Sequence, residues 1–187
     1  MKSKQPRSKR SKVPDYESMV PAGTIFGIPI EQGKFAFGRV LSVAPGGLML
    51  VEVFRKSGSI AEFDDTVIES GFAAPPFQHT VGPIIEKRWR MLRRGERFEL
   101  VAPESEFEFV YGAWPFWHAM NSRHETVRRD IPAEEAARRI STEIRSDSGR
   151  EERVAAAIRE GRSWRPGEPD PEWAAFVWRS VGDDEKK

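Results

Sequence analysis

Pro45-Gly46-Gly47 constrains this chain more than any other three residues. A proline followed by two glycines suits a tight reversal, and the runs on either side repeat with the two-residue period of strands. Before the turn, residues 34–43 set Phe35, Phe37 and Leu41 on one face and Ala36, Gly38 and Val40 on the other. After it, residues 48–54 are apolar on both faces except at Glu52, the pattern of a strand covered from both sides. Upstream, residues 24–30 align Phe26, Ile28 and Ile30, and Pro29 confines that run to an edge or a strand end. Glu31-Gln32-Gly33 turns the chain between the first two runs. The prediction is a three-stranded antiparallel meander, with Gly38 marking a bulge or a close backbone approach.

Further along, residues 59–63 are expected to form one helical turn, with Asp64 and Asp65 in a loop. Residues 71–83 hold three prolines and two glycines and read as a crossing loop. Strand signals return at Ile84-Ile85, 89–92, 98–101 and 107–111, a spacing that suggests a barrel or a strongly bent sheet. Beyond Tyr111 the pattern becomes helical. Residues 132–146 carry Ala133, Ala136, Ala137, Ile140 and Ile144 at helical spacing, with Glu134 and Glu135 in the first turn. Ser148 and Glu151 form a capping box for a second helix that stops at Gly161. Asp170 as N-cap and Pro171 as first residue open a third, with Trp173, Phe176, Val177 and Val181 on one face. Trp173 and Phe176 are expected to pack back on the β domain, since a helix this short is not stable alone.

The expected fold class is α+β, a strongly twisted antiparallel, barrel-like sheet domain with a C-terminal helical appendage. The organisation read from the chain is a basic tail over 1–14, a β-rich domain over 20–111, a helical region over 112–182 packing on the sheet, and a charged tail over 183–187.

The net charge of +1 conceals an asymmetry. Lys2, Lys4, Arg7, Lys9, Arg10 and Lys12 crowd the first twelve residues without an acid among them. The rest holds 24 basic against 29 acidic side chains, a balance of about −5, which does not favour nucleic acid as a partner. The tail reads as disordered, and a solubilising extension, or an upstream start with Met19 as an alternative initiator, is favoured over an electrostatic arm for nucleic acid or a membrane surface. No apolar run is long enough to cross a bilayer, and no apolar stretch follows the basic N-terminus, so export by a signal peptide is not expected. The absence of cysteine excludes disulfides, thiolate zinc sites and a cysteine nucleophile, and fits a cytoplasmic location.

Enzyme motifs are missing. There is no phosphate-cradling glycine loop, nucleophile elbow or paired-histidine helix. His79, His118 and His124 have no compact ligand spacing and are expected on the surface or in loops; a small hydrolase built on them is the weakest of three readings. Neither a cofactor nor a metal is implied. Glu62, Asp64 and Asp65 are the densest acidic cluster, better suited to meeting a basic protein surface than to acid–base catalysis. Arg88-Trp89-Arg90-Met91-Leu92-Arg93-Arg94 interleaves cations with an aromatic, as nucleic-acid binders do, but an edge strand with one buried aromatic looks the same. Trp114, Phe116 and Trp117 fit either core packing or an interface anchor.

Ala22-Gly23-Thr24-Ile25-Phe26-Gly27-Ile28-Pro29-Ile30, followed by Gly33-Lys34-Phe35-Ala36-Phe37-Gly38-Arg39-Val40, resembles the opening of the immunity protein 26 family of bacterial polymorphic toxin systems. Val51-Glu52-Val53-Phe54 and the Trp-bearing run from Arg88 to Leu92 extend the resemblance, which covers roughly residues 22–94. It implies a non-catalytic cytoplasmic protein that binds and neutralises a cognate toxin, and it carries over no catalytic residue. The expected contact surface combines Glu31, Glu52, Glu62, Asp64, Asp65 and Glu69. The alternative is a small-barrel module associated with nucleic acid through residues 1–14 and Arg88, Arg90, Arg93 and Arg94. No membrane partner is expected.

Overall fold

The computed structural model describes residues 14–98, 109–113, 115–121, 125–141 and 147–184. The predicted meander is present as β1 (Ile25–Glu31), β2 (Lys34–Ala44) and β3 (Leu48–Gly58), paired antiparallel in sequence order. Both turns rest on left-handed backbone that glycine adopts without strain: Gly33 lies at φ 74°, Gly46 at 97° and Gly47 at 81°. Gly38 meets both expectations raised for it. The β2–β3 register shifts between Ala36 and Gly38, and a Cβ on Gly38 would lie 2.6 Å from the Glu52 carbonyl oxygen and 2.7 Å from the Phe26 ring.

The five-stranded sheet is completed by β4 (Phe72–Thr80) and β5 (Arg90–Arg93), in the order β4-β3-β2-β1-β5. The crossing loop expected over 71–83 is therefore mostly a strand. Its prolines are tolerated because β4 lies at the sheet edge, where a missing N–H breaks no ladder on the open side. Pro75 and Pro76 sit where the register slips, since Phe77 pairs with Val51 and Ala74 with Val53. Ile84 and Ile85, expected in a strand, close a one-turn helix, α3 (Gly82–Ile85), with proline in its first turn.

Before the sheet stands another single turn, α1 (Tyr16–Met19). The connection from β3 to β4 holds a 3-10 turn (Ile60–Glu62), as expected, and then α2 (Asp65–Ile68) in place of the expected loop. Asp64 caps α2, accepting from the Thr66 backbone N–H at 2.9 Å.

The alternation read from the sequence sorts the core onto two faces. Phe26, Ile28, Ala36, Val40, Val51 and Trp89 lie on one, and Ile25, Phe37, Leu41, Leu50, Phe54 and Phe72 on the other. The first face is covered by α5 (Asp147–Arg159) through Val154 and Ala157, and the second by Trp164 and Phe109.

The stretch after Tyr111 departs most from expectation. A second sheet, in the order β8-β7-β6-β9, is built from β6 (Phe109–Ala113), β7 (Phe116–Met120), β8 (Thr126–Ile131) and β9 (Ile140–Ser141), with β9 parallel to β6. Within β7, buried Trp117 and Ala119 alternate with more accessible neighbours, which is strand periodicity. The helix expected over 132–146 shrinks to α4 (Ala133–Ala137); residues 142–146 lie outside the described residues. So do residues 1–13, positions 99–101 of the strand expected over 98–101, positions 107 and 108, and the Ser148 side chain of the expected capping box.

The third expected helix is α6 (Pro171–Asp184), and Asp170 caps it as predicted, accepting from the backbone N–H groups of Glu172 at 3.1 Å and Trp173 at 3.4 Å. Its buried face reaches the second sheet: Trp173 meets Trp117 edge-on at 5.3 Å and donates through Nε1 to the Ala136 carbonyl at 2.9 Å. The α+β class stands. Neither sheet closes on itself, so barrel-like describes the curvature only loosely.

Candidate functional site

Five of the six acids expected at a contact surface are exposed, one at the β1–β2 turn and four along the β3–β4 connection. The pair Phe35–Gly58 brings the β1–β2 turn, with Glu31, beside the end of β3, from which the segment carrying Glu62, Asp64, Asp65 and Glu69 departs. Local hydrogen bonds keep two of these carboxylates charged. The Ser59 backbone N–H, 2.7 Å from Glu62, holds that carboxyl below its ordinary range, and the Thr66 hydroxyl does the same for Asp64. The patch is not purely acidic, however. Arg93 pairs with Asp65 at 2.7 Å, and Lys56 donates to the Thr66 hydroxyl at 2.6 Å. Glu31 and Glu69 make no side-chain ion pair among the described residues, which leaves their charge directed at solvent.

Glu52 does not belong to that surface. It is 1% exposed, directly opposite Arg39 across the β2–β3 ladder, and accepts from the Arg39 guanidinium at 2.6 Å. Arg39 in turn lies 4.3 Å over the Phe98 ring and 5.7 Å from that of Phe54. Burial pushes the Glu52 carboxyl above its ordinary value, outweighing the opposing pull of Arg39. A buried ion pair in aromatic surroundings is a structural element, so a partner docking on the native surface does not reach Glu52.

The remaining candidates separate clearly. His79, expected on the surface, is buried: its Nδ1 lies 3.0 Å from the Thr80 carbonyl oxygen and its ring packs 4.6 Å from Trp89. Trp89 is also fully buried, stacked 5.3 Å from Phe26 and donating through Nε1 to Glu151 at 2.7 Å. That is one buried aromatic immediately before the edge strand β5, not a platform for bases. Arg88 pairs with Glu86 at 3.0 Å, Arg93 with Asp65 and Glu96, and Arg94 donates to the Ser18 carbonyl. His118 packs against Tyr111 at 5.2 Å, while His124 and Trp114 lie outside the described residues. Trp117 belongs to the core between β7 and α6, and Phe116 is exposed. No group of acids and histidines among the described residues is arranged to hold a metal, and no described helix is long and apolar enough to cross a membrane.

A groove of about 590 Å³ lies beside β5, its lining including Met19, Ile85, Lys87, Arg90 and Met91. Its parts come from three separate segments, and no spacing along the chain unites them.

Residues 21–110, just under half of the chain, match the model of a family described as Immunity protein 26. The match contains the whole region, 22–94, in which the resemblance was read, and extends it to Val110 in β6. No curated protein and no solved structure matches the chain.

Proposed function

Starting from that family match, we propose that this is a non-catalytic immunity protein, which binds and neutralises the effector domain of a cognate toxin inside the producing bacterial cell. The match over 21–110 carries the reading. The exposed acids support it, because Glu31, Glu62, Asp64, Asp65 and Glu69 all face solvent, as side chains that steer a basic partner must. A cytoplasmic location, where the effector would otherwise act, is part of the same proposal. The nucleic-acid alternative loses support, since Arg88 and Arg93 are paired with acids and Trp89 is buried.

The test is capture of the tagged protein from its native lysate, with the bound partner identified by mass spectrometry. A near-stoichiometric protein with a toxin-like C-terminal domain is the expected result. Nucleic acid released by salt is the result that would transfer the function to the basic tail.

The surface assignment makes a second prediction. Glu31→Lys with Glu69→Lys reverses two charges that hold nothing in place, and is expected to weaken toxin binding by about ten-fold or more, mainly through a slower, less salt-sensitive association. Asp64→Lys is a poorer probe because it also removes the α2 cap. Unchanged association kinetics in the Glu31/Glu69 variant would remove these two acids from the interface.

A further inference from the structure

The groove beside β5 combines four observations. First, Met19, Ile85 and Met91 line it at 44%, 36% and 39% exposure, three large apolar side chains presented together to water. Second, Lys87 and Arg90 stand on its rim, and neither makes an ion pair with any described residue, whereas Arg88 and Arg93 beside them are paired. Third, Lys87 lies at φ 63°, a left-handed conformation in which a side chain is strained and glycine is the usual occupant. A lysine stands where the backbone alone favours glycine. Fourth, β5 has a strand neighbour on one side only among the described residues, the position at which a guest strand is added to a sheet.

We propose that this groove docks an extended, acidic segment of a partner polypeptide, added as a strand along β5, with aliphatic side chains against Met19, Ile85 and Met91 and carboxylates against Lys87 and Arg90. Strand addition supplies affinity through the main chain, and alternate side chains supply specificity. Charge selects the occupant. A second copy docked groove to groove would bring the same cations to the interface, and a basic segment would be repelled. Nucleic acid is disfavoured because the lining is aliphatic and offers no exposed aromatic for a base to stack on. The proposal goes beyond toxin binding through the exposed acids and does not rest on it.

A synthetic peptide alternating Glu and Leu serves as the probe, with a Lys–Leu peptide and a single-stranded RNA of equal length as comparisons. The Glu–Leu peptide is expected to bind and to shift backbone amide resonances at residues 19–20 and 84–93, while the Lys–Leu peptide does not. Lys87→Glu with Arg90→Glu is expected to lower its affinity about ten-fold or more. Lys87→Gly separates charge from folding: it relieves the backbone strain, so the melting temperature should stay or rise while peptide binding weakens. Equal binding of the Lys–Leu peptide, affinity unchanged in both variants, or stronger binding of the RNA would each overturn the proposal. Because no toxin is involved, these outcomes are independent of the Glu31/Glu69 experiment.

Discussion

Arg39→Met is expected to destabilise the protein by roughly 3 to 5 kcal/mol near neutral pH, because it leaves the Glu52 carboxylate buried without its counter-ion. The loss depends on pH in a defined direction. Burial already raises the Glu52 carboxyl in the folded protein, and removing Arg39 raises it further. A carboxyl with a raised folded value takes up a proton more readily in the folded than in the unfolded state. Stability is then full below the unfolded value and falls as pH climbs through the folded one. The penalty of Arg39→Met should therefore be smaller at about pH 5 than at about pH 8, measured by urea unfolding at both. Adding Glu52→Leu to Arg39→Met removes the stranded charge and should restore stability to near the parent protein or above it. A loss equal at both pH values, and not recovered in the double variant, would mean that the buried charge is not its cause.

Trp89→Ala is expected to cost about 3 to 5 kcal/mol, the range for emptying a large aromatic from a core. Trp89 stacks on Phe26, packs on His79 and ties α5 to the sheet through Glu151. Its removal opens a cavity and also frees the helix that covers one face. Trp89→Phe keeps most of the apolar contact but loses the indole donor to Glu151, and should cost about 1 kcal/mol. Urea unfolding gives the two values. Amide hydrogen exchange across 147–159 should accelerate strongly in the Ala variant and slightly in the Phe variant. Equal losses in the two variants would mean that aromatic packing contributes little there.

These two positions show what could be read from the chain and what could not. β1, β2 and β3 were legible because apolar residues alternate with period two and glycine or proline marks each turn. The burial of Glu52 was not, because register decides it. Counting outward from Ala44–Leu48 without interruption places Glu52 opposite Val40; the irregularity between Val40 and Ser42 shifts the ladder by one residue and brings Arg39 opposite instead. β4 was hidden by two prolines that only an edge position tolerates. β8 was hidden because five of its six residues are exposed, so it carries no alternation to detect. Of the acidic residues, the exposure of Glu31, Glu62, Asp64, Asp65 and Glu69 was legible from their place in a turn and a connection, and the burial of Glu52 was not. The groove was not, because it is assembled from α1, α3 and β5.

The prolines of β4 bear on behaviour at high concentration. One side of the five-stranded sheet ends in Pro75-Pro76, and part of that edge is already taken by Trp164, whose backbone N–H donates to the Phe72 carbonyl at 3.0 Å. The other side ends in β5. A sheet able to add strands at both edges behaves as a bifunctional monomer and can grow into a fibre; one with a single open edge is monofunctional, so each addition terminates the chain. This sheet can accept one guest strand without becoming a template for the next.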